Sequence, residues 1–177
     1  MKWLIFRADR VILNVRRQKL MTVPEPLWRF PTREAIARLA SRFDVPNEPH
    51  MQDWEWEVAD PSRLDEYLKA YNGAELSDDE RFTLMETIIR AFDDLPVPLD
   101  ADERWQVTLS ILDENIDLHA YSVWYWSDLE YELSDETWRV TPFLRKLVQK
   151  HQGRLDPQSG SQDQDGGEPD DARESPS

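Results

Sequence analysis

The chain contains no cysteine, which excludes disulfides, thiolate catalysis and cysteine-ligated zinc together. Glycine is nearly as scarce: of five in 177 residues, only Gly73 precedes residue 153. The Gly-rich turns that bring backbone N–H groups up to a phosphate in P-loop and dinucleotide sites therefore have no residues to form from. Gly-x-Ser-x-Gly and His-Glu-x-x-His are absent as well, so the hydrolase and zincin signatures fail together. Long apolar runs are missing too. The longest near the start, Trp3 to Phe6 and Val11 to Leu13, fall far short of the roughly 20 residues of a membrane span, and neither makes a signal-peptide core.

Positive charge is in short supply. Lys and Arg number 21 against 36 Asp and Glu, a net charge of -15. Such a field repels nucleic-acid phosphates and anionic membranes and favours a basic protein as partner; it also keeps a cytoplasmic protein soluble with no further role.

What is present is enough for one folded domain. A length of 177 residues with 40% apolar and 11% aromatic side chains supports a packed core without staples. Three segments differ in composition. Residues 1 to 20 carry Lys2, Arg7, Arg10, Arg16, Arg17 and Lys19 against Asp9, a charge of +5. Two readings fit: a basic arm or short edge strand with Trp3, Ile5, Val11, Leu13 and Val15 alternating, or an upstream start codon before a native beginning at Met21. Residues 21 to 152 form the body, with 28 acids against 13 bases. Residues 153 to 177 are rich in Gly, Ser, Gln and Asp, lack aromatics, and read as a disordered acidic tail.

The body is punctuated as a mainly α fold, a single-domain bundle of about five to six helices. Thr32 caps a stripe of Ile36, Leu39, Ala40 and Phe43 that Val45-Pro46 ends. Asp60-Pro61 opens a second, with Leu64, Tyr67, Leu68 and Tyr71 before Asn72-Gly73. Ser77 and Glu80 form a capping box ahead of Met85, Ile88, Ile89 and Phe92. A fourth helix, capped within Asp100 to Glu103, has so broad an apolar face (Trp105, Val107, Thr108, Leu109, Ile111, Leu112, Ile116) that it reads as the central one. Thr141 caps a last helix that ends at Gly153. Residues 118 to 133 fit a helix through Leu118, Tyr121, Tyr125 and Leu129. Strict alternation in Trp54-Glu-Trp56-Glu-Val58 predicts a short strand, pairing with the arm or with Trp138 to Val140 in a minor two- or three-stranded β element.

Chemistry is sparse. No catalytic residue, metal ligand set or cofactor motif is identified. His119 alone among three histidines lies in apolar sequence, with Glu114 and Asp117 near it, so an enzyme reading centres there and requires His119 to meet two carboxylates in one pocket. The acid pairs Asp78-Asp79, Asp93-Asp94 and Asp113-Glu114 read as helix-end and solvent-face charges. The unusual feature is Tyr121, Trp124, Tyr125, Trp126 and Tyr131, interleaved with Asp128, Glu130 and Glu132. If exposed, this surface anchors and steers a partner rich in Arg or Lys; if buried, it is core. The resulting expectation is a non-enzymatic, cytoplasmic protein-binding protein, in the manner of an immunity protein or antitoxin-like inhibitor of a basic partner. The alternatives are the enzyme around His119 and a self-associating structural or regulatory protein.

Overall fold

Side chains that satisfy the free N–H groups at helix starts divide this chain, and four of them act where the sequence puts them. In a computed structural model that describes residues 23–73, 75–134 and 137–155, Thr32 accepts from the Ala35 N–H and opens α1 (Arg33–Phe43). Asp60 accepts from the Ser62 N–H at a 3-10 turn that leads into α3 (Leu64–Tyr71), which follows the single-turn α2 (Trp54–Glu57). Ser77 and Glu80 close a complete capping box on α4 (Asp78–Asp93). Asp102 accepts from the Arg104 N–H at the start of α5 (Glu103–Glu114). Then come α6 (Ile116–Ser127), α7 (Thr141–Lys150) and the single-turn α8 (Gln152–Leu155). The mainly α expectation holds: eight α-helices and no strand are found among the described residues.

The centre of the fold is α4, not α5. Phe82, Met85, Ile88, Ile89, Ala91 and Phe92 are fully buried on α4, which packs against α1, α2, α3 and α6. Polar residues on its remaining faces are buried too, because the Thr83 and Thr87 hydroxyls donate to the carbonyls of Asp79 and Thr83 one turn back. On α5, by contrast, Val107 is 47% exposed and Leu109 half-buried, so its broad apolar face overstates its burial.

Three further expectations are corrected. Trp54 to Val58 forms a helical turn instead of a strand. The Trp54 indole N–H donates to the Pro46 carbonyl at 2.7 Å while Trp56 stacks on Trp126. Two neighbours in different directions are served by a turn of 100° per residue, not by a flat alternation. Thr141 lies inside α7, and its hydroxyl donates to the Trp126 carbonyl at 2.8 Å instead of capping its own helix. The fold also runs past Gly153, since Leu155 on α8 is 1% exposed. The basic segment 1 to 20, with its alternative start at Met21, and the tail from residue 156 lie outside the described residues.

Candidate protein interface

The aromatic and acidic cluster is divided by α6 into a buried half and an exposed half. Tyr121, Tyr125 and Trp126 are buried, and Trp124 is half-buried. Trp126 stacks on Trp56 (centroids 5.0 Å apart) and leans on Trp138 (4.5 Å), while Tyr121 stacks on Tyr125 (5.7 Å). These rings are core, because α6 sits between α4 and α7. The predicted helix through Leu129 stops at Ser127, where Asp128 turns to the left-handed region (φ 49°), a conformation that Asp tolerates better than most residues.

Beyond that turn the chain changes character. Leu129, Tyr131 and Leu133 are 44%, 59% and 53% exposed. They alternate with Asp128, Glu130 and Glu132, of which Glu130 and Glu132 are exposed and Asp128 is half-buried. Asp135 and Glu136 follow in sequence, so nine residues from Asp128 carry five acids and no base. The structure therefore brings together Asp128, Glu130, Tyr131 and Glu132 and separates them from the four aromatics of α6. Leu129, which the helical spacing assigns to a buried stripe, and Leu133 belong to the exposed group; the period-two pattern Asp-Leu-Glu-Tyr-Glu-Leu is the signal that marks them.

The loop is held from inside the fold. The Arg145 guanidinium on α7 donates to the backbone carbonyls of Ser127 (2.8 Å), Asp128 and Tyr131. At the far end the Ser134 N–H donates to Thr137 Oγ1 at 2.7 Å, and the Arg139 N–H donates to Asp93 Oδ1 at 2.7 Å. Asp93 is thus an anchor with a largely buried side chain, not a solvent-face charge; burial raises its pKa although these N–H donors and Arg90 oppose the shift. Asp113 is also engaged, accepting from Lys150 and His151 at 2.6 Å each, and these two bonds hold its pKa below the ordinary carboxylate value.

Because one planar guanidinium reaches three carbonyls in a fork that an ammonium cannot reproduce, Arg145→Ala is expected to cost about 1–2 kcal/mol, with Arg145→Lys recovering less than half. Limited proteolysis checks the same point: cleavage should appear first between Asp128 and Ser134 in both variants and not in the parent.

His119 does not meet its neighbouring acids. It is fully buried at a kink in α6 (φ -110°, ψ 15°), whereas Glu114 and Asp117 are exposed. Its Nε2 pairs with the Tyr71 hydroxyl at 2.7 Å, its ring stacks on Phe82, and Nδ1 is buried with no partner. Burial first, then the charges of Arg29 and Arg81, lower its pKa to about 3, which leaves a neutral core imidazole. The convergence that acid-base or metal chemistry at His119 requires is absent, and no group of three or more metal-ligating side chains occurs among the described residues. None of the helices described is long and apolar enough to cross a membrane. Comparison with protein-family models, curated proteins and solved structures gives no match to this chain.

Proposed function

We propose that this chain is a non-enzymatic cytoplasmic protein that binds a basic protein partner through the loop Asp128 to Ser134, as an immunity protein or antitoxin-like inhibitor does. The observation that carries this reading is the exposure of Leu129, Tyr131 and Leu133 between acids on a loop that Arg145 fixes in place. Exposed apolar side chains supply anchors, a tyrosine supplies rigid contact area, and the exposed carboxylates of Glu130 and Glu132 steer a cationic surface toward them. Fixing the loop in advance reduces the ordering cost of association. The body's excess of acids disfavours a nucleic-acid partner by the same electrostatics.

The test is affinity capture from the native host with the full chain as bait, repeated at about 1 M salt, where charge attraction beyond roughly 3 Å is screened. Three further baits accompany it: Tyr131→Ala with Leu133→Ala, Glu130→Lys with Glu132→Lys, and the control Glu75→Lys. Glu75 is exposed at the opposite end of α4 from Asp93. A basic protein is expected on the parent and control baits, released by salt, and reduced about tenfold or more on the loop baits, a loss of about 1.4 kcal/mol or greater. Equal capture by all baits sinks the proposal. Capture of the chain itself, lost on the same loop baits, assigns the loop to self-association instead.

A further inference from the structure

The exposed loop has its electrostatic opposite within the same chain. Residues 1 to 20 carry six bases against one acid, and Val11, Leu13 and Val15 alternate along them as Leu129, Tyr131 and Leu133 alternate along the loop. We propose that residues 1 to 20 dock on the acidic loop of their own chain, as an internal ligand that covers Leu129, Tyr131 and Leu133 until a basic partner displaces it. The docking stands without any partner, and only its competitive consequence rests on the function proposed above.

Geometry permits it. The carbonyl of buried Val23, the first described residue, accepts from the Trp28 indole at 2.7 Å, and Phe30 packs edge-on against Tyr121 at 5.4 Å. The described chain therefore begins on the side of the fold where Trp28 and Phe30 lead to Tyr121 on α6. Tyr121 precedes Asp128 by seven residues, about 10 Å of helix at a rise of 1.5 Å per residue. The 22 residues before Val23 span up to about 70 Å when extended, so the reach is ample.

Charge selects this loop over the other exposed apolar side chains. Trp28 and Phe30 flank Arg29, and Val97 and Val107 each stand singly. Among the described residues, only from Asp128 onward do several exposed apolar side chains lie among acids with no base between them in sequence. Tethering does the rest. A segment of this length acts at an effective concentration on the order of 1 mM. An intrinsic Kd of about 100 µM then leaves the loop roughly nine-tenths occupied and weakens an outside ligand about tenfold.

The absence of cysteine makes the test clean. Asn14→Cys introduces a single thiol into the full chain; a nitroxide attached there broadens backbone amide signals close to it. Selective loss of the Leu129, Tyr131 and Leu133 amide signals is expected at low salt. Amides of α1, which meets α4 near Glu80 at the end away from the loop, should keep theirs. The loss should reverse at about 1 M salt and in the labelled chain carrying Glu130→Lys and Glu132→Lys, both exposed positions.

Uniform broadening, no broadening at the loop, or persistence after charge reversal overturns the docking. So does broadening that appears undiminished in an isotope-labelled chain without nitroxide when it is mixed with a nitroxide-labelled one, because the contact is then between two chains. These readouts involve no partner, so failure here leaves the capture experiment intact, and failure there leaves this one intact.

Discussion

Replacing Trp126 with alanine is expected to lower the free energy of unfolding by about 4 kcal/mol, near the upper part of the range for large-to-small core changes. The ring is fully buried and touches three others: Trp56 stacked at 5.0 Å, Trp138 tilted at 4.5 Å and Tyr125 edge-on at 5.8 Å. Its indole N–H also donates to Glu86 Oε2 at 3.0 Å, and Glu86 is itself 1% exposed. Truncation opens a void at the meeting of α2, α4, α6 and α7, and it takes a donor from a buried carboxylate. Trp126→Phe, which keeps part of the packing and loses the donor, should cost about 2 kcal/mol. Trp124→Ala, at a half-buried position on the same helix, should cost less than either. Urea unfolding of the three variants at neutral pH gives the comparison. An unfolding free energy for Trp126→Ala within about 1 kcal/mol of the parent contradicts a core role for this ring.

The contacts of Trp126 join residues far apart in the chain. Local features were legible: Thr32, Asp60, Asp102 and the Ser77 and Glu80 pair all accept or exchange the hydrogen bonds their positions predict, because a cap is decided within about four residues. Decisions that depend on distant neighbours were not. The alternation of Trp54, Trp56 and Val58 fits a strand until Pro46 and Trp126 are known to receive the two indoles. The width of the apolar face on α5 predicts a central helix, yet burial goes to α4, whose threonines hide their hydroxyls in the backbone and so extend its buried surface beyond the apolar stripe.

The candidate site shows the same division. Counting aromatics from Tyr121 to Tyr131 located the right stretch of chain but not its two faces, since helical spacing continues through Leu129 on paper and ends at Ser127 in the fold. The stop is an aspartate in the left-handed region, a signal much weaker in sequence than glycine or asparagine. Beyond it the sequence marks Asp128, Glu130, Tyr131 and Glu132 but not the exposure of Leu129 and Leu133. The restraint on the loop comes from Arg145, seventeen residues after Asp128, and no local pattern announces a side chain that reaches back across a helical hairpin to three carbonyls.

The second large effect is on pH dependence, and it belongs to His119. In the folded chain its pKa is lowered from 6.5 to about 3, while in the unfolded chain it stays near the ordinary value. Below that ordinary value the unfolded state takes up a proton that the folded state refuses, so stability falls as pH falls, at up to about 1.4 kcal/mol per pH unit. Between about pH 7 and pH 5 the loss should come to about 2 kcal/mol. This window lies above the ordinary carboxylate range, so the lowered pKa values of Asp60, Glu66, Glu80, Asp102 and Asp113 add their own acid sensitivity only further down. The groups around the ring act in one direction: Arg29 and Arg81 repel a second positive charge, the Phe82 ring offers no counter-charge, and Tyr71 is neutral, its hydroxyl pKa raised by burial. His119→Gln places an amide near Nε2, within reach of the Tyr71 hydroxyl, and cannot take up a proton. Its unfolding free energy should therefore change little across the same window, and His50 and His151, present in both proteins, cancel in the difference. Matching slopes in parent and variant would show that the imidazole is not held neutral in the core, and with that the electrostatic account of the buried pair of His119 and Tyr71 would fail.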